Sequence, residues 1–160
     1  QNLEYLALKM VYLIVKKKDV LDCQYCYFVG RPYNRVSNLN LFSDDISKEG
    51  TSALSLEISC HKGSETWLSK DKDIYEECIK NLENDKILLR EDILDWKVLN
   101  VPNVYPIYKL NYENHLEILK DEFDSIDNFF SVGRLGQFYY GDIDQMMKLG
   151  FDTANKILKN

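Results

Sequence analysis

A chain of 160 residues, 45% hydrophobic and 29% charged, fits one ordinary domain or a large piece of a bigger protein, and can bury a core without staples. Its formal charge of −6 and pI near 5.0 exclude the basic face that nucleic acids demand. No stretch approaches the ~18 apolar residues of a membrane span. The aromatic share of 12%, led by 11 Tyr, suits pockets and wet interfaces as well as half-buried strands.

In chain order, residues 3–16 and 19–30 are predicted as two long neighbouring strands joined across Lys16-Lys17-Lys18-Asp19, a solvated hairpin tip. Strand alternation sends the thiols of Cys23 and Cys26 to opposite faces, and Cys60 and Cys78 form no second close pair. No metal site is expected, and the cysteines are read as reduced and partly buried in a cytoplasmic protein. Residues 31–52 form a long polar loop with a short strand around Arg35. Residues 53–60 alternate Leu54, Leu56 and Ile58 with Ser55, Glu57 and Ser59, a half-buried strand with Glu57 toward solvent. Ser69 opens a helix with Asp71 and Asp73 in its first turn and an apolar stripe through Ile74, Cys78 and Leu82.

Residues 93–101 read as a strand that Pro102 ends. Residues 111–123 read as a helix through Tyr112, Leu116, Leu119 and Phe123. A short buried strand at 128–133 ends at Gly133, and a last helix from about Asp144 carries Met147, Gly150, Ala154 and Leu158 on one face. These elements predict an α+β fold, a mostly antiparallel sheet with a closing helix–strand–helix unit. A single buried strand between helices needs a parallel sheet that this sequence does not supply. With Gln1 in place of an initiating Met, the expectation is a fragment of a longer chain.

The stretch GRLGQFYYGDID, 133–144, is chemically too rich for a connection alone. Gly133 and Gly136 let backbone approach a flat ligand, and Arg134 offers a planar fork suited to a diphosphate. Tyr139 and Tyr140 bring hydroxyl donors. Asp142 can accept from a sugar or ribityl hydroxyl, and the helix start beyond it favours partial negative charge. His61 and His115 are the only histidines, too few for self-contained hydrolytic machinery.

YPIYKLNYENHLEIL followed by FFSVGRLGQFYYGDIDQMMKLGFDTANKIL, within 105–158, resembles the carboxyl-terminal segment of the flavin-containing amine-oxidase superfamily. The likeness is to its UDP-galactopyranose-mutase-like and protoporphyrinogen-oxidase-like branches. NRVSNLNLFS at 34–43 resembles the arginine-bearing segment of the substrate domain there, and TSALSLEIS at 51–59 its strand ending in an acidic residue. The resemblance implies that 1–105 is a substrate-domain portion, and that 106–160 returns to an FAD-binding domain whose Rossmann part lies outside this chain.

It further implies that Gly133, Arg134 and Asp142, with Asp144, Gln145 and Met146 at the helix start, contact FAD. Arg134 takes the catalytic position at the flavin edge, while Arg35 and Tyr140 bind the substrate diphosphate. Ile143 stands where the motif has Met. No G-x-G-x-x-G turn is present, so the fragment alone is not expected to hold FAD and its expected partner is the amino-terminal Rossmann part of the same parent. The parent is read as an FAD-dependent oxidoreductase, with hydride passing from an amine or similar carbon donor to the flavin. The alternatives are a mutase acting on a sugar nucleotide and a non-catalytic binding module.

Overall fold

A computed structural model describes residues 2–18 and 20–159. Two compact units divide the chain, one of Ala7–Pro102 and the other of Gln1–Leu6 with Asn103–Asn160. Five strands, β1 (Glu4–Val15), β2 (Tyr25–Tyr27), β3 (Arg35–Asn38), β4 (Ser52–Cys60) and β5 (Ile93–Ile107), form one sheet in the order β2-β3-β4-β1-β5. β4 pairs antiparallel with β1 and with β3, and β2 pairs antiparallel with β3. The helices are α1 (Glu65–Leu68), α2 (Asp71–Asn84), α3 (Tyr112–Asp124), α4 (Gly133–Gly136) and α5 (Ile143–Lys159). The fold is α+β, as expected.

In the unit Ala7–Pro102, α2 lays Ile74, Cys78, Ile79 and Leu82 against Val11, Leu13, Leu54 and Leu56 to make the core. The stripe read from Ile74, Cys78 and Leu82 is this buried face. Burial pushes the Cys78 thiol up to about 12. β4 departs from the half-buried expectation, because Ala53, Leu54, Ser55 and Leu56 are all buried in succession. Both of its faces are covered, so alternation no longer separates inside from outside.

Lys9, on the inner strand β1, is 1% exposed and donates to the main-chain oxygens of Thr66, Trp67 and Ser69 at 3.5, 3.3 and 2.5 Å. Asp71 lies 3.8 Å away. The ammonium thereby satisfies carbonyls at and just after the end of α1, which the helix itself leaves without partners. At the opposite end of α2, Arg31 forks onto the carboxylate of Asp85, the residue that closes the helix. That hydrogen-bonded guanidinium holds the Asp85 carboxyl below the usual carboxylate range.

Several expectations are corrected. Residues 19–30 are not a long strand beside β1: β2 has three residues, lies at the far edge and pairs with β3, while β1 has β4 and β5 as neighbours. Cys23 and Cys26 are joined in a disulfide rather than reduced. Cys23 lies in a bend before β2, so strand alternation never applied to it, and the Cα atoms are 6.4 Å apart. Lys16, Lys17 and Lys18 are exposed; Asp19 of the expected hairpin tip, and Gln1, lie outside the described residues. Ser69 does not open α2, since its hydroxyl donates back to the oxygen of Glu65 and α2 starts at Asp71. Pro102 does not end β5, which runs on to Ile107. An edge strand tolerates a missing N–H that an inner strand would not.

In the other unit, residues 128–133 are extended at Val132 (φ −133°, ψ 165°) but join no sheet among the described residues, and Phe129 and Val132 are exposed. This corrects the predicted buried strand: extended backbone becomes a strand only when a neighbour completes its ladder. α5 forms as predicted, one residue earlier, with Ile143, Met147, Phe151 and Leu158 exposed.

Lys9→Met removes the donor from three carbonyls and is expected to lower the unfolding free energy by about 2–3 kcal/mol in urea titration; an unchanged midpoint would refute this role. Asp85→Asn tests the Arg31 pair through pH. A carboxyl whose folded pKa is depressed stabilises above its unfolded pKa of about 4 and loses that contribution as pH falls through the folded value. Wild type is therefore expected to exceed the variant in stability at pH 7, with the gap closing in acid below about pH 4.

Candidate functional site

The turn between 132 and 143 is built by local geometry before any ligand is considered. Gly133 takes φ +81°, reversing the chain out of the extended Val132 into the single turn of α4. Phe138 then adopts φ +50°, left-handed backbone that a bulky residue takes only when its surroundings compensate. The compensation is aromatic. Its ring is 4% exposed and lies edge-on to Tyr5 at 5.0 Å, with Tyr108 and Tyr112 at 5.9 and 6.0 Å.

Hydrogen bonds fix the same turn. The Tyr5 hydroxyl donates to the oxygen of Leu135 at 2.6 Å, and Tyr108 accepts the Tyr140 N–H at 2.8 Å. Burial raises the Tyr5 phenol above its ordinary value, and at neutral pH the hydroxyl is protonated with or without that shift. Asp142 accepts the first amide bond of α5 from Met146 at 3.0 Å, and its own N–H donates to the Gln145 side chain at 2.8 Å. That return bond is half of a capping box.

Arg134 is held by this scaffold. One guanidinium N–H donates to the oxygen of Gly141 at 2.8 Å, and the group sits over the Tyr140 ring at 4.7 Å and the Tyr105 ring at 5.5 Å. A Cβ on Gly141 would lie 2.5 Å from Tyr139 Cε1 and 2.6 Å from Met146 Cε, so this position closes tightly on its neighbours. Arg134, Asp142 and Met146 line one open groove of about 520 Å³ with Gly141, Ile143 and Met147. Gly133 serves the turn, and Tyr140 borders the site through its stack on Arg134. Asp144 and Gln145 occupy the first turn of α5, outside the groove lining.

Arg35 belongs to the unit Ala7–Pro102 and has its own cluster. In the β3–β4 register it faces Glu57, to which both Nε and Nη2 donate, the former at 3.0 Å. Its Nη1 donates to the Tyr27 hydroxyl at 3.3 Å, and its guanidinium lies 4.6 Å from the Tyr25 ring centre. Glu57 therefore does not point to solvent as expected; the register turns it onto an arginine one strand away. Sequence reasoning missed Glu57 as a partner, and it missed Tyr5, Tyr105, Tyr108 and Phe138 as supports of the 133–144 turn. Tyr-Pro at 105–106 was visible, but which ring meets Arg134 is a matter of tertiary contact.

No protein-family model matches the chain, and no curated protein matches it. Among solved structures, the fold is similar to that of a segment of two larger proteins. A structure of reduced UDP-galactopyranose mutase superposes on 82% of this chain with a TM-score of 0.69 and 23% identity. A provisionally named protoporphyrinogen oxidase from Exiguobacterium sp. 255-15 superposes on 75% with a TM-score of 0.62 and 9% identity. The chain spans 29% and 27% of the lengths of those two proteins.

Because Phe138 fills a buried slot and holds left-handed backbone, Phe138→Ala is expected to cost about 3 kcal/mol and loosen the 133–142 turn. Faster amide hydrogen exchange at Tyr139 and Tyr140 would report that loosening. Unchanged exchange with a folded chain would show that the turn does not depend on this ring.

Proposed function

We propose that the chain is the substrate-side and flavin-contacting segment of a longer FAD-dependent enzyme, of the kind that handles a diphosphate-bearing sugar nucleotide. The observation that carries this is the Arg134 guanidinium, stacked on Tyr140 and Tyr105 and tied to Gly141, bordering a groove with Asp142 and the start of α5. A planar cation whose faces rest on aromatic rings keeps its orientation for bidentate bonding to phosphate oxygens. Tyr140 is the further diphosphate contact beside Arg134 in this reading, and Arg35, within its own unit, is separately read as a diphosphate-binding arginine. Among the described residues, no helix is long and apolar enough to cross a membrane.

The groove fits one edge of a flavin. Ile143 and Met147 are largely exposed there, offering apolar surface to a flat ring, while Asp142 adds an acceptor. Gly133, Arg134, Asp142, Asp144, Gln145 and Met146 are the residues that would hold it, and the FAD pyrophosphate would rest on the Rossmann part of the parent. When bound, the flavin supplies the electron-pair chemistry. The protein's own contribution is placement: the aromatic anchor around Phe138 fixes the turn, the turn fixes Arg134, and the helix start biases the pyrimidine edge toward negative charge. The second reading, an amine-oxidase or protoporphyrinogen-oxidase-like oxidoreductase, draws on the fold shared with the second solved structure.

A longer protein carrying this segment, purified without added cofactor, is expected to show a flavin absorption band. With the flavin chemically reduced, it is expected to interconvert the ring forms of a sugar nucleotide without net redox change. Reduction of the flavin by an amine or porphyrinogen substrate would favour the oxidoreductase instead. Arg134→Ala is expected to lower turnover by about 10²-fold while leaving the fold intact. An unchanged rate would remove Arg134 from the site, and a colourless, folded parent that takes up no added FAD would leave a binding module.

A further inference from the structure

We propose that Cys23 and Cys26 form a thiol-responsive clasp that sets the aromatic cover of Arg35. The pair brackets Gln24 and Tyr25, and both cysteines are only partly buried, within reach of a small thiol. Tyr25 is the residue whose ring meets the Arg35 guanidinium at 4.6 Å and the Phe42 ring at 5.3 Å. Cys26 itself is a strand residue, in register with Val36 of β3, beside Tyr27 opposite Arg35. The disulfide thus ties the bend at 22–24 to the short edge strand that carries both tyrosines of the Arg35 cluster.

Little else holds that edge. β2 is three residues long and pairs on one side only, and beyond that ladder the segment is tied by Asn38 N–H to the oxygen of Gln24 at 3.1 Å, Asn38 Nδ2 to the oxygen of Leu21 at 2.9 Å, Gln24 Nε2 to the oxygen of Leu41 at 3.0 Å and Phe28 N–H to the oxygen of Asn34 at 2.9 Å. Opening a covalent loop of this kind restores conformational freedom to the segment, and a short edge strand is where such freedom first appears. The remaining cysteines, Cys60 and Cys78, are buried and unpaired, so they stand outside the exchange. A Cys-x-x-Cys disulfide exposed to a cellular thiol pool is a redox-responsive element far more often than a structural one.

The chemistry is thiol–disulfide exchange with a small-molecule thiol. A thiolate attacks one sulfur, the Cys23–Cys26 bond breaks, and the other cysteine leaves as thiolate and is protonated. A second thiol then releases the mixed disulfide, so the protein gains two electrons and two protons and the reductant departs as its own disulfide. The inference stands on the geometry of this unit alone; only its consequence for substrate rests on the diphosphate reading of Arg35.

The test uses the whole chain, oxidised or fully reduced, with alkylation and mass spectrometry to verify that two thiols open on reduction. Hydrogen exchange at residues 24–28 and 35–38 is expected to quicken by about tenfold on reduction, and in Cys23→Ser/Cys26→Ser without reductant, while α5 is unaffected. Equal exchange in both states, or two accessible thiols already present in oxidised-glutathione buffer, overturns the clasp. Inorganic pyrophosphate titrated into both states, with Arg35→Ala alongside, separates the two ideas. If Arg35→Ala binds it as wild type does, the diphosphate reading of Arg35 falls while the exchange data still decide the clasp.

Discussion

A buried ammonium on the inner strand β1 organises the larger unit. Lys9 has no water to return to, so the oxygens of Thr66, Trp67 and Ser69 must converge on it, and α1 and the approach to α2 are drawn to one place over β1. Once that approach is fixed, α2 falls with its apolar stripe across Val11, Leu13, Leu54 and Leu56. The same interaction explains why β1 carries a lysine amid an otherwise apolar run: the charge supplies donors to the oxygens of Thr66, Trp67 and Ser69, while the Ser69 hydroxyl serves that of Glu65.

The smaller unit solves a different problem with a different tool. Its turn at 133–142 contains a left-handed Phe138, and the tyrosines at 5, 108 and 112 compensate the backbone cost by burying that ring. The high tyrosine content therefore has a structural use at the candidate site. Rings hold the turn from within, and hydroxyls satisfy its main chain at Leu135 and Tyr140. Arg134 is then placed by its bond to Gly141 and its contacts with the Tyr140 and Tyr105 rings, which together fix the plane of its guanidinium.

Legibility in the sequence followed the range of the interactions. α2, α3 and α5 were readable because their periodicity and terminal residues act within a few turns. β4 was found as a strand yet misjudged in its burial, since what covers its second face comes from elsewhere in the chain. The strand expected at 19–30 failed because apolar Val and Tyr content does not reveal a partner; three residues found one, and the disulfide ties the bend at 22–24 to them. Pro102 was taken for a terminator because its missing N–H is costly only where a neighbour needs it, and edge position is a property of the sheet.

What the sequence determined by itself was the class of fold, the three long helices α2, α3 and α5, and the cluster of glycine, arginine, tyrosine and aspartate at 133–144, because each rests on local chemistry or on residue types that only certain backbone positions tolerate. Tertiary structure decided the rest. It paired Arg35 with Glu57 across a register, seated Lys9 among carbonyls about sixty residues away, stacked Arg134 on Tyr105 and Tyr140, and joined Cys23 to Cys26. Those outcomes depend on which distant segments share space, and burial changes the energy of a charge or a ring only once the neighbours are in place.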